Sequence, residues 1–195
     1  MQPAASPSLF EIRTVAVIGA GTAGRSFALA CVAAGFHVVL EDVMPANLRR
    51  AEADFAEMDL RHSAGRLDLA MTVEDAVREA DIAIDFVPDE LESKLEIFSM
   101  VDRMAPPRTI LCTPSDALSI TDLASCVYRP DRSFAIRGAL VGKDSDIVRL
   151  LYPASADDRA LAATTGFLHS LRRTVQHEPD PDVPILMKNQ IQAIP

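Results

Sequence analysis

The sequence predicts an α/β fold, a doubly wound and mainly parallel sheet with helices on both faces. Three observations predict it. Short β-branched apolar runs alternate along the chain with segments whose apolar residues recur at helical spacing, the pattern of strand–helix–strand units. One of these runs, Val15-Ala-Val-Ile-Gly19-Ala-Gly21-Thr-Ala-Gly24, leads directly through three closely spaced glycines into a helical pattern. Glycines and prolines such as Gly35, Pro45 and Pro106-Pro107 stand at the joints between segments.

Residues 1–13 read as a loose leader with two prolines, and the first strand is 14–18. A helix over 24–34 places Phe27, Ala28, Ala30, Cys31 and Ala34 on one packing face. Strand 37–40 follows, then a helix opened by Pro45 that carries Leu48, Ala51, Phe55 and Met58 inward and fades at 62–65. A short helix at 73–79 precedes a strand at 82–87. Leu95, Phe98, Val101 and Met104 give the period of a helix over 91–104, which Pro106-Pro107 ends. The second half reads as strand 109–112, helix 120–126, strands 133–136 and 147–152, helix 157–171 and strand 173–177. From Glu178 the run Pro-Asp-Pro-Asp-Val-Pro breaks all periodicity, so 178–195 is expected to be a loop or docking arm, leaving 14–177 as one domain.

The glycine run carries the chemistry. In a G-x-G-x-x-G turn, Gly19 permits the tight bend, Gly21 lets a phosphate approach the backbone, and Gly24 lets helix and strand pack closely. The helix then presents its first N–H groups, around Thr22 and Ala23, to a pyrophosphate. Asp42 lies 18 residues beyond Gly24, at the end of the second strand, where a carboxylate accepts hydrogen bonds from an adenosine ribose. These features together describe a Rossmann-type dinucleotide site. Asp42 and its neighbour Glu41 would repel a 2′-phosphate, which favours NAD over NADP.

Composition bounds the partners. A length of 195 residues and 49% hydrophobic content suffice for one sizeable core. The net charge of −9, without a block of Lys and Arg, argues against nucleic acid and anionic membranes. No apolar run reaches the roughly 18 residues that span a bilayer, and residues 1–8 lack the basic and apolar regions of a secretion signal, so a cytoplasmic protein is expected. Cys31, Cys112 and Cys126 are widely spaced, and the four histidines form no ligand pair, so no metal site is expected.

With the glycine turn and Asp42, the stretches Ala80-Asp-Ile-Ala-Ile-Asp-Phe-Val-Pro-Asp-Glu-Leu-Glu-Ser-Lys94 and Ala105-Pro-Pro-Arg-Thr-Ile-Leu-Cys-Thr-Pro-Ser-Asp-Ala117 make the chain resemble the NAD-binding domain of the 3-hydroxyacyl-CoA dehydrogenases over residues 14–175. The resemblance implies that NAD lies across Gly19, Gly21, Thr22, Ala23 and Gly24, that Asp42 holds the adenosine ribose, and that Val87, Pro88, Asp89 and Lys94 approach the nicotinamide side. Asp89 stands where the family carries a glutamate, while Lys94 matches.

The same resemblance exposes departures. The family removes a hydroxyl proton with a histidine that a glutamate orients; here those positions fall on Arg137 and Arg149. An arginine remains protonated at neutral pH and is no ordinary general base. The family's asparagine falls on Leu140, and Asp116 replaces a substrate-binding serine. The segment between Asp42 and Thr72 is shorter than the family's coenzyme A-gripping hairpin, and the chain stops near the start of the family's helical domain.

Three readings follow. The chain is a diverged NAD-binding homologue with weak or absent acyl-CoA dehydrogenase activity, or an active NAD-dependent oxidoreductase on a different, anionic hydroxy or oxo substrate, or an NAD-binding subunit of a larger assembly. In the second, Arg137 and Arg149 bind the anion while Asp116 or Lys143 handles the proton. In the third, the apolar segment 183–187 meets a separate helical subunit; a homodimer is the other assembly considered.

Overall fold

The computed structural model describes residues 11–58, 64–142 and 146–180. In chain order these form β1 (Thr14–Ile18), α1 (Thr22–Ala33), β2 (His37–Glu41), α2 (Pro45–Ala56), β3 (Arg66–Ala70), α3 (Val73–Val77), β4 (Ile82–Asp85), α4 (Leu91–Met104), β5 (Ile110–Pro114) and α5 (Ile120–Ala124). A 3₁₀ turn at Pro130–Arg132 leads into β6 (Ser133–Arg137), β7 (Ile147–Tyr152), α6 (Asp158–Ser170) and β8 (Thr174–Pro179). All eight strands join one sheet in the order β3-β2-β1-β4-β5-β6-β7-β8, and every pair is parallel except β6 with β7.

Strand alternation explains the layering. Val15 and Val17 of β1 point into a core shared with Phe27 and Cys31 of α1, Leu48 and Ala51 of α2, and Phe167 and Leu168 of α6. Ala16 and Ile18 point the other way, against Val77 of α3, Ile97, Phe98 and Val101 of α4, and Ile120 and Leu123 of α5. Burial on both faces is why residues 15–18 of β1 and 82–84 of β4 are apolar without a break, β4 closing on the buried Asp85. The chain winds from β1 out to β3 and then returns to place β4 on the other side of β1. The carboxyl ends of β1 and β4 therefore flank a crevice at the switch point, where ligands of such sheets bind.

Three expectations need correction. The pattern did not single out β3, an edge strand whose short Leu67/Leu69 alternation among Arg66 and Asp68 buries little apart from Ala70. β8 continues beyond 177, so Glu178 and Pro179 belong to the sheet; a proline at the end of an edge strand sacrifices no ladder bond that the fold needs. Asp180 is also anchored, its carboxylate accepting from Ser119 Oγ at 2.8 Å and from the Thr121 N–H at 3.1 Å. Residues 181–195, including the apolar segment 183–187, lie outside the described residues, as does Lys143. Helix α1 starts at Thr22 and not at 24, because Gly21 caps it and accepts the first helical bond from the Arg25 N–H.

Candidate cofactor crevice

The three glycines occupy distinct environments. Gly19 takes φ +97°, a left-handed conformation that glycine alone adopts without strain, and a Cβ there would stand 3.3 Å from the Phe86 carbonyl oxygen. A Cβ on Gly24 would fall 1.9 Å from the Gly19 carbonyl oxygen, an overlap no relaxation of side chains can relieve. Gly21 has nothing within 4 Å of its Cβ position, so its outer side is open to an approaching ligand. Since α1 takes its first helical bond at Arg25, the N–H groups of its opening turn, at Thr22, Ala23 and Gly24, are not used by the helix ladder.

Asp42 is fixed before any ligand arrives. Its Oδ2 accepts from the Ala20 N–H at 2.8 Å and from Asn47 Nδ2 at 3.0 Å, and its Oδ1 accepts from the Met44 N–H at 2.8 Å. The carboxylate thereby ties the glycine turn to the start of α2. Beside it opens a cleft of about 650 Å³ lined by Gly19, Gly21, Glu41, Asp42, Val43 and Asn47 on one side and by Met71, Val73, Val87, Pro88, Ile97 and Met100 on the others. Glu41 is 4% exposed. Burial pushes its carboxyl above the usual carboxylate range, the neighbouring Asp42 adds to the shift, and the Gly19 N–H opposes it.

A second cleft of about 530 Å³ continues along α1 past Thr22, Ala23 and Ser26 to Pro114, Gly138, Leu140 and Val141. Phe86 lines both clefts, and its ring packs on Phe27 with centroids 5.2 Å apart. No sequence motif announced Phe86, Asn47 or Met71; only their position beside the carboxyl ends of strands brings them to the crevice.

The expected nicotinamide-side residues separate. Val87 and Pro88 line the first cleft, together with Asp42, and not the second. Lys94 is only 1% exposed, its Nζ donating to Asp85 Oδ1 at 2.8 Å and to the Val87 carbonyl at 3.4 Å. It is thus sealed beneath the β4–α4 connection and reaches neither cleft, because a buried ammonium must sit on a carboxylate. Burial holds the Asp85 carboxyl above its ordinary range while Lys94 pulls it back. Asp89 is exposed and its Oδ2 accepts from the Asp116 N–H at 3.2 Å, linking the loops that follow β4 and β5.

Arg137 and Arg149 do come together, facing one another across the β6–β7 ladder. Their side chains project to the α5 face, opposite the face on which Ile136, Val148 and Leu150 pack. Glu178 lies between them, with Oε1 3.7 Å from Arg137 Nη1 and Oε2 3.1 Å from Arg149 Nη1. Arg137 Nη2 also donates to the Leu118 carbonyl at 3.3 Å. Neither arginine lines either cleft, so the anion site expected of them is occupied by the protein's own carboxylate. Asp116 is solvent-exposed and stands with Asp89, apart from the arginines.

Cys31 and Cys112 are buried, and burial drives both thiols upward, away from reactivity. Among the described residues no group of three His, Cys, Asp or Glu side chains could hold a metal ion, and no helix is long and apolar enough to cross a membrane.

Comparison with known proteins adds a family. Residues 14–175 match the model of the 3-hydroxyacyl-CoA dehydrogenase, NAD binding domain. A probable 3-hydroxybutyryl-CoA dehydrogenase of Bacillus subtilis is 33% identical over 135 residues, which cover 63% of this chain and 47% of that protein. The 5-formyl-3-hydroxy-2-methylpyridine 4-carboxylate 5-dehydrogenase of Mesorhizobium japonicum is 24% identical over 193 residues, 92% of this chain and 61% of that one. The crystal structure of (S)-3-hydroxybutyryl-CoA dehydrogenase PaaH1 from Ralstonia eutropha shares the fold at a TM-score of 0.76 and 23% identity, over 87% of this chain and 64% of its own. The chain spans about half the length of the Bacillus relative.

Proposed function

The chain belongs to the 3-hydroxyacyl-CoA dehydrogenase family through its NAD-binding domain, and from that premise we propose that it holds NAD(H) across the crevice while turning over 3-hydroxyacyl-CoA weakly or not at all. The single observation that carries the cofactor half is the glycine cradle, in which Gly24 has no room for a Cβ against Gly19 while Gly21 stays open in front of the α1 N-terminus. The residues present fit the group: N–H groups of Thr22, Ala23 and Gly24 would hold the pyrophosphate, and Asp42 with Glu41 would border the adenosine half. Bound NAD supplies the hydride acceptor. Water exclusion around it falls to the apolar walls of the second cleft, Phe86, Pro114, Leu140 and Val141.

The weak-activity half rests on Arg137 and Arg149. By the resemblance they stand at the family's histidine and glutamate positions, and they share the single carboxylate of Glu178, outside both clefts. Neither can accept a hydroxyl proton there. Titration with NADH and NADPH, followed by an acetoacetyl-CoA reduction assay in the same preparation, tests both halves at once. Binding of NADH together with a reduction rate comparable to an intact family member would overturn the second half alone.

A second reading is an active oxidoreductase on a small carboxylate. What favours it is the relative whose name states dehydrogenation of a pyridine carboxylate, matched over 92% of this chain. The Arg137–Glu178–Arg149 bridge weighs against those arginines as its anion site, because a substrate would have to displace Glu178 first.

A further inference from the structure

Glu41 is a buried carboxylate whose part so far is only to repel a 2′-phosphate beside Asp42, and it lines the same cleft as Asp42. The two acids differ in what they have left to offer. Asp42 already accepts three hydrogen bonds from the protein, from Ala20, Met44 and Asn47. Glu41 points to the opposite face of β2, with Ile97, Met100, Val73 and Met71 around the same cleft. That cleft is flat-ring chemistry on its walls and acceptor chemistry on its acids. Among the described residues its titratable lining consists of Glu41, Asp42 and Glu96 of α4, with no lysine or arginine.

An apolar slot that carries carboxylates and no cation recognises a ring bearing N–H donors and disfavours one bearing carbonyl acceptors at the same edge. Resting on the cofactor reading above, we propose that Glu41 reads the purine of the dinucleotide, accepting a hydrogen bond from the exocyclic amino group of adenine and rejecting a 6-oxo purine. Desolvation sharpens the choice, since an acceptor already withdrawn from water gains most from a donor and loses most when faced by another acceptor. The raised carboxyl of Glu41 agrees with such withdrawal. Glu96, exposed at the rim, makes the smaller contribution.

The test is fluorescence titration of the protein with NADH and with nicotinamide hypoxanthine dinucleotide, which carries a 6-oxo group in place of the 6-amino group and an N1–H where adenine has a bare N1. The unaltered protein is expected to prefer NADH by about tenfold or more, as a charge-assisted hydrogen bond warrants. In Glu41→Gln the side-chain amide can turn either its oxygen or its nitrogen to the ring, so the preference falls toward one while NADH still binds. Asp42→Asn weakens both dinucleotides and leaves their ratio in place. Thermal melts of each variant confirm that it is folded, and Glu41→Leu, which removes all polar atoms, repeats the loss of preference should the amide variant melt early. Equal affinities in the unaltered protein, or a preference that survives both Glu41 variants, overturns the assignment and leaves the cofactor reading standing. If neither dinucleotide binds, both fall.

Discussion

Gly24→Ala and Gly21→Ala form a pair that separates packing from ligand approach. Both add one methyl group to a glycine of the same turn. At Gly24 that methyl would lie 1.9 Å from the Gly19 carbonyl oxygen and 3.2 Å from the Phe86 Cβ, so the start of α1 must move by more than 1 Å, roughly, away from the end of β1 before ordinary contact distances return. Backbone displaced by an overpacked methyl costs about 1 to 3 kcal/mol. For a domain of this size that corresponds to a fall in Tm of about 2 to 12 °C. At Gly21 the methyl meets open space, and its φ of −60° and ψ of 179° suit any residue, so stability is unchanged or rises by about 0.4 to 1 kcal/mol as the unfolded chain loses freedom. The cost at Gly21 is in binding, because the methyl stands in the path of the pyrophosphate. Urea unfolding of the three proteins, with NADH titration of each, reads both effects. A Gly24→Ala protein as stable as the parent would refute the packing argument, and Gly21→Ala with unchanged NADH affinity would refute the placement of the pyrophosphate.

Further outcomes follow from buried charges and from the proposed loss of the base. Asp102, 3% exposed, accepts from the Tyr128 N–H and from Arg129 Nε at 2.8 and 2.9 Å, so Asp102→Ala should cost about 3 to 5 kcal/mol in urea unfolding; a loss under about 1 kcal/mol contradicts the pair's role in fixing the end of α4. Lys94→Met strands the Asp85 carboxylate. Because Asp85 is already held above its ordinary value, the folded state takes up its proton more readily than the unfolded chain, and stability falls as pH rises through the carboxylate range toward the raised folded value. The Lys94→Met deficit is therefore expected to be large at pH 7.5 and smaller at pH 5, and equal deficits at the two pH values count against it. On the proposed reading acetoacetyl-CoA reduction should run at least about 100-fold below an intact family member, and Arg137→His alone should not restore it, since by the resemblance Arg149 would still stand at the orienting glutamate's position. Rescue by that single change would show that the histidine position is in the crevice after all.

The elements that were legible in the sequence are those whose burial is two-sided or whose ends carry a chemical mark. β1, β4 and α4 follow from unbroken apolar runs and a strict helical period, and the glycine turn from the close contact that only Gly24 permits. β3 escaped because an edge strand needs few apolar residues, and β8 ran past its expected end because Glu178 is held by two arginines distant in sequence. The site was half legible for a related reason. Gly19, Gly21, Gly24 and Asp42 meet in one turn through backbone geometry and local spacing, which a sequence displays. Lys94 was placed at the cofactor by resemblance, yet its ammonium is drawn to Asp85, a preference decided by burial that spacing does not reveal. Glu41 and Phe86 reach one cleft only because strands from different parts of the chain end side by side.

Paired titration with NADH and NADPH addresses the crevice as a whole. Glu41, Asp42 and Glu96 line the cleft proposed for the adenosine half, with no lysine or arginine among the described residues, so a 2′-phosphate there would gain no partner and meet like charge. NADH should bind, and NADPH should bind more weakly by on the order of tenfold or more, at least about 1.4 kcal/mol of repulsion. Equal or tighter binding of NADPH, or no binding of NADH at all, would contradict the assignment of this crevice to NAD.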